Sequence, residues 1–503
     1  MNQGFLIDTG SCIGCHACSV ACKSENQVPL GVHRTWVKVT ESGAYPNTRR
    51  DFQVSRCNHC QNPPCVTICP VTAMIQRPDG IVEFDGDACI GCKACMQACP
   101  YDAIHIDPET HTAAKCHFCA HRVELQLEPA CVVVCPTHSI LAGDLDDPDS
   151  EIRRVMARKS VTVRKPEQGT KPSLFYVEGS HVALDPAAFS IETSEGLFSQ
   201  APDPETGQVT DPYPQSETGP IQVQSGRMAE QMVQVAHRVD HKMPWHWPVP
   251  AYLVTKGLGC GLWILLSLAQ ITGSLPAGSD AAVWGGALAT LGLLLTTGLL
   301  VIDLERPERF LRILTRPQWK SWLVKGAYIL VGLSTVSGGW FGLEAGISFG
   351  WWEAGGLDGL RQGLAWATLP LAIGGAVYTA FLFAQCEGRD LWQSPLLGPH
   401  LLVQALMMGG VGGVILGLMG AGGPLVALAP DILIATLIAD LAMLFLGEFS
   451  LRHPTEVAAR AAKDITHGRY QQLFWLDAIG IGHALPLALL AIGGDLSLGA
   501  AAP

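Results

Sequence analysis

The sequence predicts an α+β module built around cysteine, followed by an all-α bundle of seven or eight membrane-spanning helices. Three observations carry this reading. Sixteen of the eighteen cysteines lie before residue 136, nearly all long apolar runs lie after residue 249, and an acidic, proline-rich stretch separates the two regions. With 503 residues and 48% hydrophobic content, the chain has room for two or three domains, so composition is read by region. The expected boundaries are 1–185 for the cysteine module, 186–245 for the linker and 246–503 for the membrane domain.

The net charge of −12 argues against a nucleic-acid partner, because phosphate neutralisation needs a concentrated basic face and the basic residues here cluster only beside apolar runs. Disulfide frameworks belong to small secreted domains, and Met1–Gly10 is too polar to be a signal peptide. Repeated Cys-x-x-Cys spacing in a chain assembled in a reducing compartment points to thiolates used as metal ligands.

The cysteines form four groups. Cys12, Cys15, Cys18 and Cys22 are the first; Cys57, Cys60, Cys65 and Cys69, followed by Pro70, the second; Cys89, Cys92, Cys95 and Cys99, followed by Pro100, the third; Cys116, Cys119, Cys131 and Cys135, followed by Pro136, the fourth. The third has the spacing of bacterial two-cluster ferredoxins, in which three nearby thiolates hold three corners of a [4Fe-4S] cubane and the fourth ligates the neighbouring cluster. Zinc also takes four-cysteine sites, but rarely as closely spaced runs ending in proline. Four such groups predict two ferredoxin-like dicluster modules, one inserted in the other or duplicated from it, and four clusters in all. Short strands are expected at 81–84 and 103–106.

From about Leu141 to Val249 the chain turns acidic and proline-rich, as at 201–205 and 211–214, and reads as a semi-extended connector. Seven apolar stretches follow, near 250–273, 281–303, 321–343, 364–386, 397–420, 426–448 and 472–494, each long enough to cross a bilayer. The loops alternate in charge. Arg227, Arg238 and Lys242 precede the first stretch; Arg306, Arg309, Arg312, Arg316 and Lys320 follow the second, Arg389 the fourth, and Arg452, Arg460, Lys463 and Arg469 the sixth. Since lysine and arginine accumulate on the cytoplasmic side, this puts the cysteine module and the basic loops in the cytoplasm and the chain in the inner membrane.

The segments Cys-Ile-Gly-Cys-His-Ala-Cys-Ser-Val-Ala-Cys-Lys, Cys-Asn-His-Cys-Gln-Asn-Pro-Pro-Cys and Glu-Pro-Ala-Cys-Val-Val-Val-Cys-Pro-Thr closely resemble the four-cluster electron-transfer subunits of molybdopterin oxidoreductases of the dimethyl sulfoxide reductase type. The resemblance covers residues 1 to about 180. It implies four ligand sets: Cys12, Cys15, Cys18 and Cys135; Cys22, Cys116, Cys119 and Cys131; Cys57, Cys60, Cys65 and Cys99; and Cys69, Cys89, Cys92 and Cys95. Residues 250 onward resemble the membrane anchors of polysulfide and tetrathionate reductases, chiefly through Asp303-Leu304-Glu305-Arg306-Pro307-Glu308-Arg309-Phe310. That family usually has eight spans on a separate polypeptide, whereas seven are counted here, fused behind the iron-sulfur module.

Such anchors exchange electrons with quinol and carry no haem, in keeping with the lack of paired intramembrane histidines at axial positions. Ionisable residues within spans are default candidates for function, here Lys256, Asp303, Glu387, Asp440, Glu448, Asp477 and His483. A quinone site needs an apolar slot, polar groups on the ring carbonyls and proton access. Lys256, Asp303 and Arg306, with His400 as a further candidate, are expected to line it for menaquinone or ubiquinone. Asp440 and His483 read as a hydrogen-bonded pair between helices, with a proton path as the alternative.

No substrate pocket is legible, so the expected partners are a large molybdopterin catalytic subunit, the membrane quinone pool and membrane lipids. The cytoplasmic placement resembles sulfite-oxidising quinone-linked complexes and favours sulfite oxidation as the partner's chemistry. Competing readings keep the wire but serve a nickel-iron hydrogenase or multihaem cytochrome, or make the chain an ion-translocating or structural scaffold with zinc in its cysteine sites.

Overall fold

The computed structural model describes residues 1–42, 49–177, 233–237 and 245–498, with the single positions 179, 184 and 239. The chain divides into two compact units, Met1–Pro244 and Trp245–Pro503. The expected proline-rich segments 201–205 and 211–214, and Arg227, Arg238 and Lys242, lie outside the described residues.

The first unit is built from short elements. In chain order they are β1 (Gln3–Asp8), α1 (Ala17–Glu25), β2 (Thr35–Ser42), β3 (Arg49–Arg56), α2 (Pro64–Ile68), β4 (Met74–Gln76), β5 (Val82–Phe84), α3 (Ala94–Ala98), β6 (Ile104–Ile106) and β7 (Ala113–Lys115). Then come α4 (Ala120–Val123), α5 (Ala130–Val133), β8 (Ile140–Asp144), α6 (Glu151–Met156), β9 (Val161–Thr162), β10 (Leu174–Val177) and β11 (Val233–His237). A four-stranded sheet runs in the order β8-β1-β10-β9, with β1 and β10 parallel and its other pairs antiparallel. Strand β1 is apolar on both faces and buried on both: Phe5 and Ile7 join the cysteine-rich core, while Leu6 packs with Ile152 and Val177. That is the pattern of a central strand covered on two sides.

Strands β2 and β3 form a hairpin, and β11 pairs antiparallel with β2, with a register shift between Val235 and His237. The connector expected from about Leu141 to Val249 is therefore corrected: α6, β9 and β10 within it belong to the compact first unit, burying Ile152, Leu174, Tyr176 and Val177, and β11 is a sheet strand because the edge of β2 offers it hydrogen bonds. The small hairpins β4–β5 and β6–β7 fall between the second and third, and the third and fourth, cysteine groups. The chain reverses around the cysteines by positive-φ residues at repeated positions. Gly14 and Gly91 lie at φ 66° and 68°, His16 and Lys93 both at 60°, and α1 and α3 begin one residue later. The repeat read from cysteine spacing is thus also a repeat of backbone conformation.

In the second unit, among the described residues, seven helices are long and apolar enough to cross a membrane: Pro248–Ile271, Asp280–Ile302, Trp322–Ser348, Asp358–Ala384, Leu397–Leu418, Pro424–Ser450 and Leu473–Ile492. They are called the first to seventh spans. The third ends later and the fourth begins earlier than the apolar runs implied, because Glu344 and Arg361 ion-pair inside the bundle instead of marking its surface. The first span is the axle, with 67% of its apolar window buried against 11% for the seventh. Small residues let its neighbours close on it. A Cβ on Gly261 would collide with the Ala405 carbonyl oxygen, so the first and fifth spans touch backbone to backbone.

Two polar clusters mark opposite ends of this bundle. At one end, Gln385 accepts from the Trp322 amide (2.9 Å) and donates to the Lys320 carbonyl (2.8 Å), tying the loop after the second span to the end of the fourth. At the other, Glu344 accepts from Arg361 Nε (2.7 Å), Trp340 Nε1 (3.0 Å) and the Gly278 amide (2.9 Å), clamping the loop between the first two spans. An amphipathic helix, Glu456–Thr466, follows the sixth span and buries Ala458, Ala462 and Thr466, one residue per turn.

Candidate functional site: cysteine cradles and buried membrane polar groups

The fold gathers the cysteines across the sequence groups. One hollow is lined by Cys12, Cys15, Cys18 and Cys135, and another by Cys57, Cys60, Cys65 and Cys99. Asn26 Nδ2 approaches the sulfurs of both Cys22 (3.6 Å) and Cys119 (3.8 Å), Cys131 lies within electrostatic reach of Cys22 and Cys119, and Cys116 within that of Cys22 and Cys131. Cys95 is likewise close to Cys69, Cys89 and Cys92. In each gathering three cysteines come from one group and one from another.

These surroundings fit an anionic metal-sulfur group. Backbone amides point at sulfur, from Ala73 to Cys69 (3.1 Å) and from Gly91 to Cys89 (3.4 Å). Several buried donors find no acceptor among the described residues: Arg56 Nε and one terminal nitrogen, Asn58 Nδ2 and His59 Nε2. His59 Nδ1 accepts the Val82 amide (3.1 Å), so the ring proton sits on Nε2. Burial pushes the Cys18 thiol up to about 11, with Cys131 and Cys12 adding to the effect and Arg56 opposing it. Cys99 is likewise pushed up to about 11 by burial, against amide hydrogen bonds. Bare thiolates are disfavoured in such cradles, and a bound cation core is what would stabilise them.

Lys256 is 2% exposed in the first span and reaches the fourth, donating to the Ala376 carbonyl (3.1 Å) and Thr379 Oγ1 (2.5 Å). Its ammonium lies 4.8 Å from the Tyr378 ring centre and 6.0 Å from that of Tyr252. Tyr252 is also within electrostatic reach of Asp303, which caps the second span. Lys256 and Asp303 thus both lie within electrostatic reach of the same tyrosine. Arg306, in the turn just beyond, contacts Glu308 at 3.2 Å.

His400 is brought to a different group. Its Nε2 lies 2.8 Å from Asp440 Oδ1 and 3.2 Å from Gln404 Nε2, while His483 Nε2 lies 3.0 Å from Asp440 Oδ2. The expected Asp440–His483 pair is present, and His400 makes it a triad across the fifth, sixth and seventh spans. His483 Nδ1 lies 2.7 Å from the Ala478 carbonyl, an acceptor only, so Nδ1 carries a proton. Its contact with Asp440 then requires a second proton, on Nε2 or on the carboxyl. Glu387, just past the fourth span, is half-buried, and burial raises its carboxyl above the usual range.

Sequence reading missed Glu344, Tyr252, Tyr378 and Arg56. A Glu at the end of an apolar run and an Arg before a cysteine have no distinguishing pattern; only their partners across the fold do.

An iron-sulfur unit joined to a polytopic helical membrane unit is the class of protein these features define. The sequence profile described as 4Fe-4S dicluster domain matches residues 48–145, and that described as Polysulphide reductase, NrfD, matches residues 236–501. The chain belongs to the polysulphide reductase NrfD family and carries a 4Fe-4S dicluster domain ahead of that membrane region. The chain is 49% identical over 179 residues to a subunit of the tetrathionate reductase of Salmonella typhimurium, covering 34% of this chain and 71% of the relative. It is 44% identical over 185 residues to a component of the polysulfide reductase of Wolinella succinogenes (36% and 97%), and 33% identical over 225 residues to the arsenate respiratory reductase iron-sulfur subunit ArrB of Shewanella sp. (35% and 96%). The chain is an iron-sulfur electron-transfer subunit fused to a multi-pass membrane anchor.

Proposed function

We propose that this chain passes electrons between the membrane quinone pool and a separate molybdopterin catalytic subunit through four [4Fe-4S] clusters. The ligand sets are Cys12, Cys15, Cys18 and Cys135 (site I); Cys22, Cys116, Cys119 and Cys131 (site II); Cys57, Cys60, Cys65 and Cys99 (site III); and Cys69, Cys89, Cys92 and Cys95 (site IV). The carrying observation is that these sets abut in series. Cys18 of site I lies within electrostatic reach of Cys131 of site II, Cys116 of site II within that of Cys57 of site III, and Cys65 of site III within that of Cys69 of site IV. A row of cysteine cradles suits stepwise electron passage and has no evident use in a zinc scaffold. Bound clusters supply one-electron redox sites; the chain spaces them, excludes water and places buried cations beside them.

In the membrane unit, Lys256 and Asp303 beside Tyr252 are the groups proposed to receive the quinone, Lys256 as donor to a ring carbonyl and Asp303 with Arg306 as the proton route at the span end. His400, held on Asp440, is assigned to the triad instead. Arg306 to Lys320 and Arg389 fall at the end of the bundle tied by Gln385, which supports a cytoplasmic placement of that end in the inner membrane. The tetrathionate and polysulfide reductase relatives favour a sulfur compound as the partner's substrate, with sulfite oxidation the first to test. Purifying the complex and identifying its largest subunit tests the partner. Lys256→Met and Asp303→Asn test the quinone site: quinol-linked turnover should fall at least tenfold while dithionite still reduces the clusters. Normal quinol turnover in both variants would refute it.

A further inference from the structure

The side chain of Arg56 is the one fully buried guanidinium of the cysteine unit among the described residues, at 0% exposure. It ends β3 and immediately precedes Cys57. One terminal nitrogen donates to Cys131 Sγ at 2.9 Å, and the guanidinium carbon stacks 4.6 Å from the centre of the Phe5 ring. Its Nε and second terminal nitrogen have no acceptor among the described residues. Cys18 and Cys116 lie within its electrostatic reach. Arg56 therefore sits where sites I and II meet. Lys115, a second deeply buried cation near the cysteines, is held by the Val82 and Cys116 carbonyls and acts on Cys65 of site III.

A buried cation is retained only where negative charge compensates it, and no carboxylate among the described residues contacts Arg56. We infer that Arg56 is a potential-setting residue: its fixed charge stabilises the reduced state of the clusters at sites I and II, and its spare N–H groups donate to their sulfur atoms. This rests on the four-cluster reading. Each cluster gains one negative charge on accepting an electron, while the guanidinium stays protonated and no proton moves. The interaction is stronger in the reduced state, so Arg56 raises both potentials. Charge-assisted hydrogen bonds to sulfur act in the same direction.

The test uses Arg56→Met, Arg56→Gln and Arg56→Lys in the assembled complex, with iron analysis and paramagnetic-resonance redox titration. In the neutral variants two of the four one-electron steps should fall by at least a tenfold change in the oxidised-to-reduced ratio, 59 mV for a one-electron couple, while the other two hold. Arg56→Lys should recover at least half of that shift. Four unmoved potentials at full iron content, four equal shifts, or a Lys variant that falls as far as Met would each overturn the inference. Iron lost from the neutral variants but retained in Arg56→Lys supports a role for the charge at these sites; iron lost from all three overturns it in favour of a purely structural one. A wild-type complex with fewer than four titrating clusters would instead fail the four-cluster reading itself.

Discussion

Replacing Glu344 should destabilise the membrane unit more than any single ion-pair loss at its surface. Both members of the Glu344–Arg361 pair are nearly fully buried, at 2% and 4% side-chain exposure, so Glu344→Ala leaves a guanidinium without its main counter-charge inside the bundle. Removing one partner of a buried pair costs about 3–5 kcal/mol. The same change strips acceptors from Trp340 Nε1 and the Gly278 amide, each about 1–3 kcal/mol when left unmade. Arg361 keeps its contact with Asp358 at 3.3 Å and its bond to the Leu275 carbonyl, which holds the cost to the lower end of these ranges, so a net loss of about 5 kcal/mol is expected. The double variant Glu344→Met with Arg361→Met removes both charges and should be less destabilised than Glu344→Ala, by about 2 kcal/mol. Denaturant titration in mixed micelles, followed by tryptophan fluorescence, measures both. A loss below about 1 kcal/mol for the single variant, or a double variant worse than the single, would refute the argument.

Two further outcomes follow from the site geometry. Cys99→Ser combined with Cys57→Ser should lose only one cluster, four irons per chain, because both wall one cavity, whereas Cys99→Ser with Cys89→Ser should lose eight; iron and sulfide analysis giving the reverse would break the proposed ligand sets. In the triad, Asp440→Asn should remove one bound proton and with it the imidazolium or carboxylic-acid band of the wild type in infrared difference spectra in light and heavy water. A wild type showing neither band would contradict the hydrogen-bond assignment at His483.

What the sequence determined by itself is local in origin. Cysteine spacing is a ligand geometry written along the chain, and the apolar runs are long because the bilayer has a fixed thickness, so the iron-sulfur module and all seven spans were legible to within a few residues. The short strands at 82–84 and 104–106 were legible too, between cysteine groups, but their hairpin partners at 74–76 and 113–115 were not. Where local pattern carried two meanings, reading was weaker. Glu344 and Arg361 fall just outside the apolar runs at 321–343 and 364–386, and only their meeting across two helices shows that they neutralise each other inside. His400 looks like a neighbour of Lys256 at the same depth, yet helix rotation turns it to Asp440. Arg56 is one arginine among many in the sequence, and becomes a buried charge between two cysteine cradles only when β1, β3 and α5 pack together. Composition and period set which solvent each segment meets; the pairing of buried charges is a long-range matter, decided by which side chains the tertiary fold closes off from water.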